Sequence, residues 1–450
     1  MKTVAYHNLG CKVNAYEMDA MLQSLRQKGY QIVSFDQKAD IYIVNTCTVT
    51  NIADRKSRQM LHKAKKTNPK GIVVAVGCYV QSATQAVETD SAVDLVIGNN
   101  KKKDLVEILE NYFDGIEQES VIDINNTLEY EEMRLGSTEE HTRAYIKIQD
   151  GCNQFCTYCM IPYARGRVRS RQNSAVIEEI KGLIQAGYKE FVLTGIHISS
   201  YGLDFKEHQD EEGSLSGLLR KIDAIEGIER IRLGSLEPRI VTEEFAKCLS
   251  GLKHLCPHFH LSLQSGSETV LKRMNRHYTP EEYLRGVSLL RNVFEHPAIT
   301  TDVIVGFPGE SCEEFEETRK FTETVKFYEM HIFKYSKRKG TKAAVMPSQV
   351  TEEVKSERSA VLQALEASDS KAFRAYYIGC DVEVLFEEQK EIYKKIYWIG
   401  HTKEYVKVAV DAKIVEKISP DGIQNCLLSG KITGFLNDEI LIIGTDLKYI

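Results

Sequence analysis

The chain has 450 residues, more than one ordinary hydrophobic core holds, so two to four domains are expected. Hydrophobic residues make up 42% and charged residues 27%, which indicates a globular protein, and no stretch approaches the roughly 18 to 20 apolar residues of a membrane span. The net charge of −6 argues against a strongly basic nucleic-acid binder, although short basic patches are able to contact phosphate.

The cysteine count points to a compartment. There are eleven cysteines, and the N-terminus has neither the apolar run nor the cleavage site of a secretory signal. We therefore expect a cytoplasmic protein with no membrane contact, in which grouped cysteines bind metal rather than form disulfides.

The first 113 residues alternate short apolar strands with amphipathic helices and form the first predicted domain. Strands are predicted at residues 3–7, 41–45, 72–76 and 93–97, and helices at residues 15–28, 52–65 and 103–112. This alternation favours a parallel sheet with helices packed on its faces.

Three cysteines directly follow three of these strands. They are Cys11, Cys47 and Cys78. The carboxyl ends of parallel strands share one edge of a sheet, where ligands bind, so the three thiols are predicted to converge. The alternative is three unrelated buried thiols, since free cysteine is often buried.

An acidic, irregular linker is predicted at residues 114–137, followed by a central domain at 138–370. Its strands are predicted at residues 144–149, 191–198, 230–235, 258–264, 299–305 and 330–335, with helices between them. Six such units indicate a partial (β/α) barrel, whose chemistry lies at the carboxyl ends of the strands.

A second group of cysteines follows the first strand of that barrel. Cys152, Cys156 and Cys159 are separated by three and then two residues. Iron–sulfur clusters normally take four cysteine ligands, so three predict a cluster with one open iron. The run Arg165, Arg167, Arg169 and Arg171 follows, and we hypothesise that some of these guanidinium groups bind a substrate phosphate or an anionic cofactor group.

The C-terminal part, residues 371–440, is predicted to be a small β-barrel. A helix at 352–376 precedes five short strands at residues 382–386, 397–401, 405–410, 426–435 and 439–443. Such barrels often stack single-stranded bases on aromatic side chains. Candidates for that contact are Tyr393, Tyr397, Trp398 and Tyr405.

Taken together, these motifs resemble the radical S-adenosylmethionine enzymes and, among them, the methylthiotransferases. The cysteine spacing of Cys152, Cys156 and Cys159 and the string from Ile161 to Arg171 are similar to that family's second cluster motif. Cys11, Cys47 and Cys78 match its N-terminal ligands, and the last barrel resembles a TRAM domain, which implies RNA binding.

The surroundings of the first cysteines are most similar to the MtaB type within the family. The segments are Gly10-Cys11-Lys12-Val13-Asn14 and Asn45-Thr46-Cys47-Thr48-Val49-Thr50. The isopentenyladenosine branch usually has Gln-Met in place of Lys12-Val13, and the ribosomal-protein branch has Pro-Lys there.

This resemblance implies a transferase with two [4Fe-4S] clusters and S-adenosyl-L-methionine as cofactors. Such an enzyme methylthiolates C2 of N6-threonylcarbamoyladenosine at position 37, in the anticodon stem-loop of tRNA. The Cys152 set would bind S-adenosylmethionine at its open iron and the Cys11 set would hold the sulfur, while Tyr158 would lie against the cofactor's adenine. A reductant and a sulfur donor are implied partners.

Two kinds of alternative remain open. The same chemistry is compatible with isopentenyladenosine in tRNA or with a ribosomal-protein aspartate as substrate. A protein of another class, an RNA-binding protein whose iron–sulfur clusters are not catalytic, is compatible with the same cysteines.

Overall fold

The computed structural model describes residues 2–136, 142–206 and 213–450, and their strands form three successive β-structures. The predicted α/β fold class is confirmed: an N-terminal parallel sheet, a partial barrel and a C-terminal β-rich part follow one another along the chain. The predicted domain boundaries stay predictions.

The N-terminal part is a five-stranded parallel sheet in the order β2-β1-β3-β4-β5. Its strands are β1 (Thr3–Asn8), β2 (Gln31–Val33), β3 (Ile41–Thr46), β4 (Ile72–Gly77) and β5 (Leu95–Ile97). Its helices are α1 (Lys12–Gln27), α2 (Asn51–Thr67), α3 (Cys78–Ser82), α4 (Thr84–Glu88) and α5 (Leu105–Phe113). The three cysteines follow β1, β3 and β4, which are neighbours in the sheet.

The central part supplies six parallel strands and one short antiparallel one. The strands are β6 (Arg143–Asp150), β7 (Arg169–Ser170), β8 (Glu190–Gly195), β9 (Arg230–Leu233), β10 (His258–His260), β11 (Ala298–Val305) and β12 (Glu329–Lys334). The helices are α6 (Ile161–Arg165), α7 (Asn173–Gln185), α8 (Leu215–Asp223), α9 (Glu243–Ser250), α10 (Glu268–Arg273), α11 (Pro280–Val293), α12 (Cys312–Val325) and α13 (Glu352–Ala375).

These strands curve into an open barrel. β6, β8 and β9 are parallel neighbours, as are β10, β11 and β12, and isolated bridges join the two groups at Ile231 to Leu255 and Leu236 to Leu261. In the described part of the chain, β12 does not pair with β6, which leaves one side of the barrel open.

The C-terminal part is a small barrel in which β13 pairs with both β14 and β16. Its elements are β13 (Asp381–Ile392), β14 (Lys395–His401), β15 (Lys407–Asp411), α14 (Ala412–Val415), β16 (Leu427–Asn437), β17 (Ile440–Ile443) and β18 (Lys448–Tyr449). Because β13 pairs with β14 on one side and with β16 on the other, the sheet closes on itself and few strand edges stay unpaired.

The differences from the predicted elements are local. β2, β7 and β18 were not predicted, because two or three residues show no periodicity. α1 begins three residues before its predicted start, with Cys11 as its N-cap. β10 ends at His260, and beyond it only bridges at Leu261 and Gln264 continue the pairing.

The predicted acidic linker is irregular but packed. Ile124 and Met133 are buried. Glu131 is buried too, and its carboxylate accepts hydrogen bonds from the backbone N–H groups of Asn100 and Lys103 at 3.0 and 2.9 Å. The hydroxyl of Tyr130 in the same segment donates to the Lys147 carbonyl of β6 at 2.8 Å, so the segment fastens the N-terminal sheet to the central barrel.

Candidate functional site

The first cysteine set converges as predicted. Cys11 caps α1 after β1, Cys47 follows β3, and Cys78 opens α3 after β4. The pKa of Cys47 is raised to about 11, chiefly by burial and also by the nearby charges of Cys78 and Cys11. The three thiols thus lie at one edge of the sheet, after three neighbouring strands, and a common cluster stays a prediction.

A glycine turn makes room for this convergence. Gly10 has a φ of +107°, which favours glycine, and a Cβ there would lie 3.2 Å from the Cys47 sulfur. A side chain at position 10 would crowd the Cys47 side chain.

The second set occupies a tight loop between β6 and α6. The pKa of Cys152 is raised to about 11 and that of Cys159 to about 12. Burial is the main cause in both, and the nearby charge of Cys156 contributes. The loop is held in place by Thr157, whose N–H donates to the Met274 carbonyl at 3.0 Å.

Hydrogen-bond donors point at the sulfurs of both sets. Arg165 Nε lies 3.2 Å and Asn99 Nδ2 3.6 Å from the Cys78 sulfur. Arg276 Nη1 lies 3.3 Å from the Cys156 sulfur. All cysteines in the described residues are free thiols, and donors aimed at sulfur suit thiolates that bind an iron–sulfur cluster. Each set therefore fits such a cluster.

One cavity joins the second set to the loop of the first. It has a volume of about 300 Å³ and is lined by Cys152, Cys156 and Cys159 together with Val49 and Thr50, which follow Cys47. Tyr158 also lines it, with its ring edge-on to Phe307 at a centroid distance of 6.4 Å. The second set and the loop after Cys47 thus face a common cavity.

His197 contributes a neutral imidazole to that cavity. Its Nδ1 pairs with Ser200 Oγ at 2.6 Å, while Nε2 is buried without a hydrogen-bond partner. Burial lowers the pKa of His197 to about 4, and the charges of Arg276 and Arg239 lower it too. At neutral pH this ring is therefore uncharged and offers one free nitrogen.

Burial excludes a substrate phosphate as the partner of three members of the arginine run, and the alternative of an anionic cofactor group stays a prediction. Arg165, Arg169 and Arg171 are buried. Arg171 pairs with Glu132 and Glu179 inside the protein, so it is not available to a ligand. The fourth member, Arg167, lies over the Phe155 ring, with its guanidinium carbon 4.5 Å from the centroid.

Several residues of the site carried no recognisable sequence signal. Arg276 follows α10 and Arg338 follows β12, each outside any motif. Asn14 and Glu17 were detectable in principle, because they lie three and six residues after Cys11 on one face of α1 and are polar among apolar neighbours.

The four aromatic residues that were predicted to stack on RNA bases differ in how exposed they are. Tyr397 and Trp398 are buried, at 5% and 7% exposure, so they do not present their rings to bases. Tyr405 stacks between His258 and His401, at centroid distances of 5.2 and 4.6 Å. Tyr393 is 72% exposed. Of the four candidates, only Tyr393 is free to stack on a base.

None of the helices in the described ranges combines the length and the apolar character that a membrane crossing requires.

Two family models match the chain. The Radical SAM superfamily matches residues 146–322, and the Uncharacterized protein family UPF0004 matches residues 3–98. The first match covers β6 to α12 with the second cysteine set, and the second covers the N-terminal sheet with the first set.

Relatives of known name match nearly the whole chain. The threonylcarbamoyladenosine tRNA methylthiotransferase MtaB of Bacillus subtilis is 42% identical over 91% of this chain and 90% of its own length. The tRNA-2-methylthio-N(6)-dimethylallyladenosine synthase of Desulfotalea psychrophila is 38% identical over 85% of this chain and 87% of its own length.

A solved structure shares the fold. The radical S-adenosylmethionine methyltransferase TsrM of Kitasatospora setae superposes with a TM-score of 0.56 at 15% identity, covering 74% of this chain and 73% of that one.

Proposed function

The chain belongs to the radical S-adenosylmethionine methylthiotransferases, and from this premise we propose that it methylthiolates C2 of N6-threonylcarbamoyladenosine at position 37 of tRNA. The observation that carries the proposal is the single cavity shared by the second cysteine set and the loop after Cys47. The substrate is inferred from the 42% identity to the Bacillus subtilis relative.

Enzymes of this family use two [4Fe-4S] clusters and S-adenosylmethionine, and we assign their ligands as follows. Cys152, Cys156 and Cys159 hold the cluster with the open iron, and Cys11, Cys47 and Cys78 hold the other. When bound, these groups supply the reductive cleavage of S-adenosylmethionine and the sulfur that is transferred.

The side chains around the cavity orient the cofactor and the substrate and exclude water. Tyr158 presents its ring to the adenine of S-adenosylmethionine, and Ile196, Leu236 and Phe333 supply an apolar wall. The free Nε2 of His197 is a hydrogen-bond partner for a polar group of the bound molecules.

The C-terminal barrel is proposed to act as a TRAM domain that binds the anticodon stem-loop. In this scheme the domains are residues 1–113, 138–370 and 371–440, with the linker at 114–137. The enzyme works in the cytoplasm with an electron donor and a sulfur donor.

The substrate is tested by nucleoside analysis of tRNA from a strain that lacks the gene. We expect 2-methylthio-N6-threonylcarbamoyladenosine to disappear and its unthiolated precursor to accumulate, with restoration by the wild-type gene and not by Cys156→Ala. Loss of the methylthiolated isopentenyl nucleoside instead would transfer the proposal to that substrate. Unchanged tRNA would point to the ribosomal protein or to a non-catalytic role.

The two ligand sets are separated by one variant of each. Cys156→Ala is expected to abolish the formation of 5′-deoxyadenosine from S-adenosylmethionine. Cys47→Ala is expected to keep that cleavage and to lose methylthiolation of a tRNA substrate, because only the sulfur-carrying site is damaged. Both products are measured by liquid chromatography, and methylthiolated product from either variant would refute the assignment.

A further inference from the structure

Arg165 links the two cysteine sets. It is the last residue of α6, six positions after Cys159, yet its Nε–H donates to the sulfur of Cys78 at 3.2 Å. Its side chain is completely buried. A residue that belongs to the second cysteine loop therefore contacts a sulfur of the first set.

The remaining nitrogens of this guanidinium are fixed by other partners. Nη1 and Nη2 donate to the carboxylate of Glu17 at 2.5 and 2.9 Å. Nη2 also donates to Asn14 Oδ1 at 2.6 Å, and Nη1 lies 3.1 Å from Asp150 Oδ2. The fork is thus held rigidly by α1 and β6, which leaves Nε aimed at the sulfur.

The buried ions around Arg165 carry more positive than negative charge. The interacting cations are Lys102, Lys147, Arg165 and Arg169, and the carboxylates are Glu17, Glu131 and Asp150. A buried cation without a counter-charge is costly. A metal-bound thiolate at Cys78 supplies the missing negative charge, whereas a neutral thiol does not.

A second guanidinium has the same relation to the other set. Arg276 Nη1 donates to the Cys156 sulfur at 3.3 Å, and its Nε donates to the hydroxyl of Tyr278 at 3.2 Å. These partners of Arg276 differ from the partners of Arg165. The two sulfur-directed arginines are therefore separately built.

We propose that Arg165 is a positioning residue that raises the reduction potential of the cluster at Cys11, Cys47 and Cys78, through its charge and its hydrogen bond to the Cys78 sulfur. Arg276 acts in the same way on the cluster at Cys152, Cys156 and Cys159. A positive charge and a hydrogen bond at sulfur favour the reduced, more negative cluster. This inference rests on the ligand assignment of the proposed function.

The test is a redox titration of the full-length enzyme with both clusters, followed by electron paramagnetic resonance. The two signals are assigned by comparison with Cys156→Ala and Cys47→Ala, each of which damages one of the two clusters. Arg165→Met removes the charge and the donor, and leaves Glu17 paired with Lys102 and Lys147.

We expect Arg165→Met to lower the midpoint potential of the first cluster by at least about 59 mV, which for one electron is a tenfold change in the ratio of reduced to oxidised cluster. The second cluster should keep its potential. Arg276→Met is the matched control and should show the reverse pattern. An unchanged first potential at full iron content, or an equal shift of both clusters, would overturn the inference.

A conservative variant keeps the test decisive if Arg165→Met does not hold its iron. Arg165→Lys retains the charge and should lower the same potential by a smaller amount, and no shift in that variant would reject the role. The ligand assignment is checked separately by the wild-type iron content. A wild-type enzyme that holds only one cluster would refute the proposed function rather than the role of Arg165 alone.

Discussion

At the scale of single residues, the cysteine loops depend on backbone positions that exclude side chains. Gly151 stands between β6 and Cys152 with a φ of +71°. A Cβ at this position would lie 1.8 Å from the backbone oxygen of Arg167, a distance that no side chain tolerates. The backbone of the arginine run therefore packs directly on the turn that presents Cys152.

Gly151→Ala is expected to displace this turn and to remove about half of the iron, because only the second cysteine set is damaged. Iron per chain and S-adenosylmethionine cleavage measure the effect. Gly182→Ala is the control, since that glycine lies in α7 with no atom within 4 Å of an added Cβ. It should keep all the iron and stabilise the fold by about 0.5 to 1 kcal/mol. Full iron in Gly151→Ala would contradict the expectation.

At the scale of elements, one arginine closes the cavity between the N-terminal sheet and the barrel. Arg338 lies in the loop after β12 and is 5% exposed. Its guanidinium donates to Asp54 Oδ2 at 2.6 Å and Asn51 Oδ1 at 2.7 Å on α2, and to Thr48 Oγ1 at 2.6 Å. This places the loop after Cys47 opposite the second cysteine set.

Arg338→Met should separate the two half-reactions. We expect 5′-deoxyadenosine formation to persist while methylthiolated product falls by about tenfold to a hundredfold, because small displacements of reacting groups have effects of that size. The ratio of the two products measures the uncoupling. Arg319→Met, which removes a partly exposed arginine that pairs with Glu316 and Glu323 on α12, should leave the ratio unchanged. An unchanged ratio in Arg338→Met would contradict this role.

The hairpin between β13 and β14 carries the most exposed of the predicted base-stacking residues. Its two turn residues, Tyr393 and Lys394, have φ values of +51° and +63°, as a type I′ turn requires. The turn holds the Tyr393 ring in solvent beside Lys394 and Lys395. An exposed aromatic ring among lysines is suited to a single-stranded RNA loop.

Tyr393→Ala is expected to weaken tRNA binding by roughly 1 to 3 kcal/mol, the usual contribution of one stacked base. A filter-binding or fluorescence titration measures the dissociation constant, and thermal unfolding should be unaffected because Tyr393 is mostly exposed. Tyr449→Ala is the matched control, since that tyrosine is 57% exposed on β18, away from this hairpin. Equal effects of the two variants would argue against the hairpin.

At the scale of the whole molecule, a buried ion cluster joins the C-terminal barrel to the amino-terminal edge of the central barrel. Glu190 begins β8 and pairs with Arg143 at 3.0 Å and Arg232 at 2.8 Å. Arg230 reaches across to Glu383 of β13 at 2.9 Å, and Arg232 donates to the Lys403 carbonyl at 2.8 Å. The orientation of the C-terminal barrel is therefore set by charges at the floor of the central one.

The titration of Glu190 predicts how this interface depends on pH. Burial alone would raise its pKa, but the charges of Arg232 and Arg143 outweigh burial and lower the pKa from 4.5 to about 2. Because the folded-state value is the lower one, the stabilisation is complete above pH 4.5 and is lost as the pH falls towards 2.

Glu190→Gln should destabilise the cluster-free protein at pH 7 by about 3 to 5 kcal/mol, because it leaves buried arginines without their counter-charge. Urea unfolding at pH 7 and pH 3 measures the free energy of both proteins, and the gap between them should narrow at pH 3. Glu243→Gln, in an exposed pair with Arg285, should have no effect at either pH. A gap that stays constant with pH would contradict this reading.

The sequence by itself determined the three-part fold and the convergence of the cysteines. Strand and helix periodicity is local, and parallel strands always bring their carboxyl ends to one edge, so Cys11, Cys47 and Cys78 were predictable without a structure. The spacing of Cys152, Cys156 and Cys159 is also local, because one short loop carries all three.

Only the tertiary structure decided what the charged and aromatic residues do. Arg165 pairs with Glu17, which lies 148 positions away, and Arg338 with Asp54, 284 positions away. Trp398 looked available to RNA and is buried. A local pattern reports how a segment folds, but burial and charge pairing depend on which distant segment packs against it, and that is settled only when the whole chain has folded.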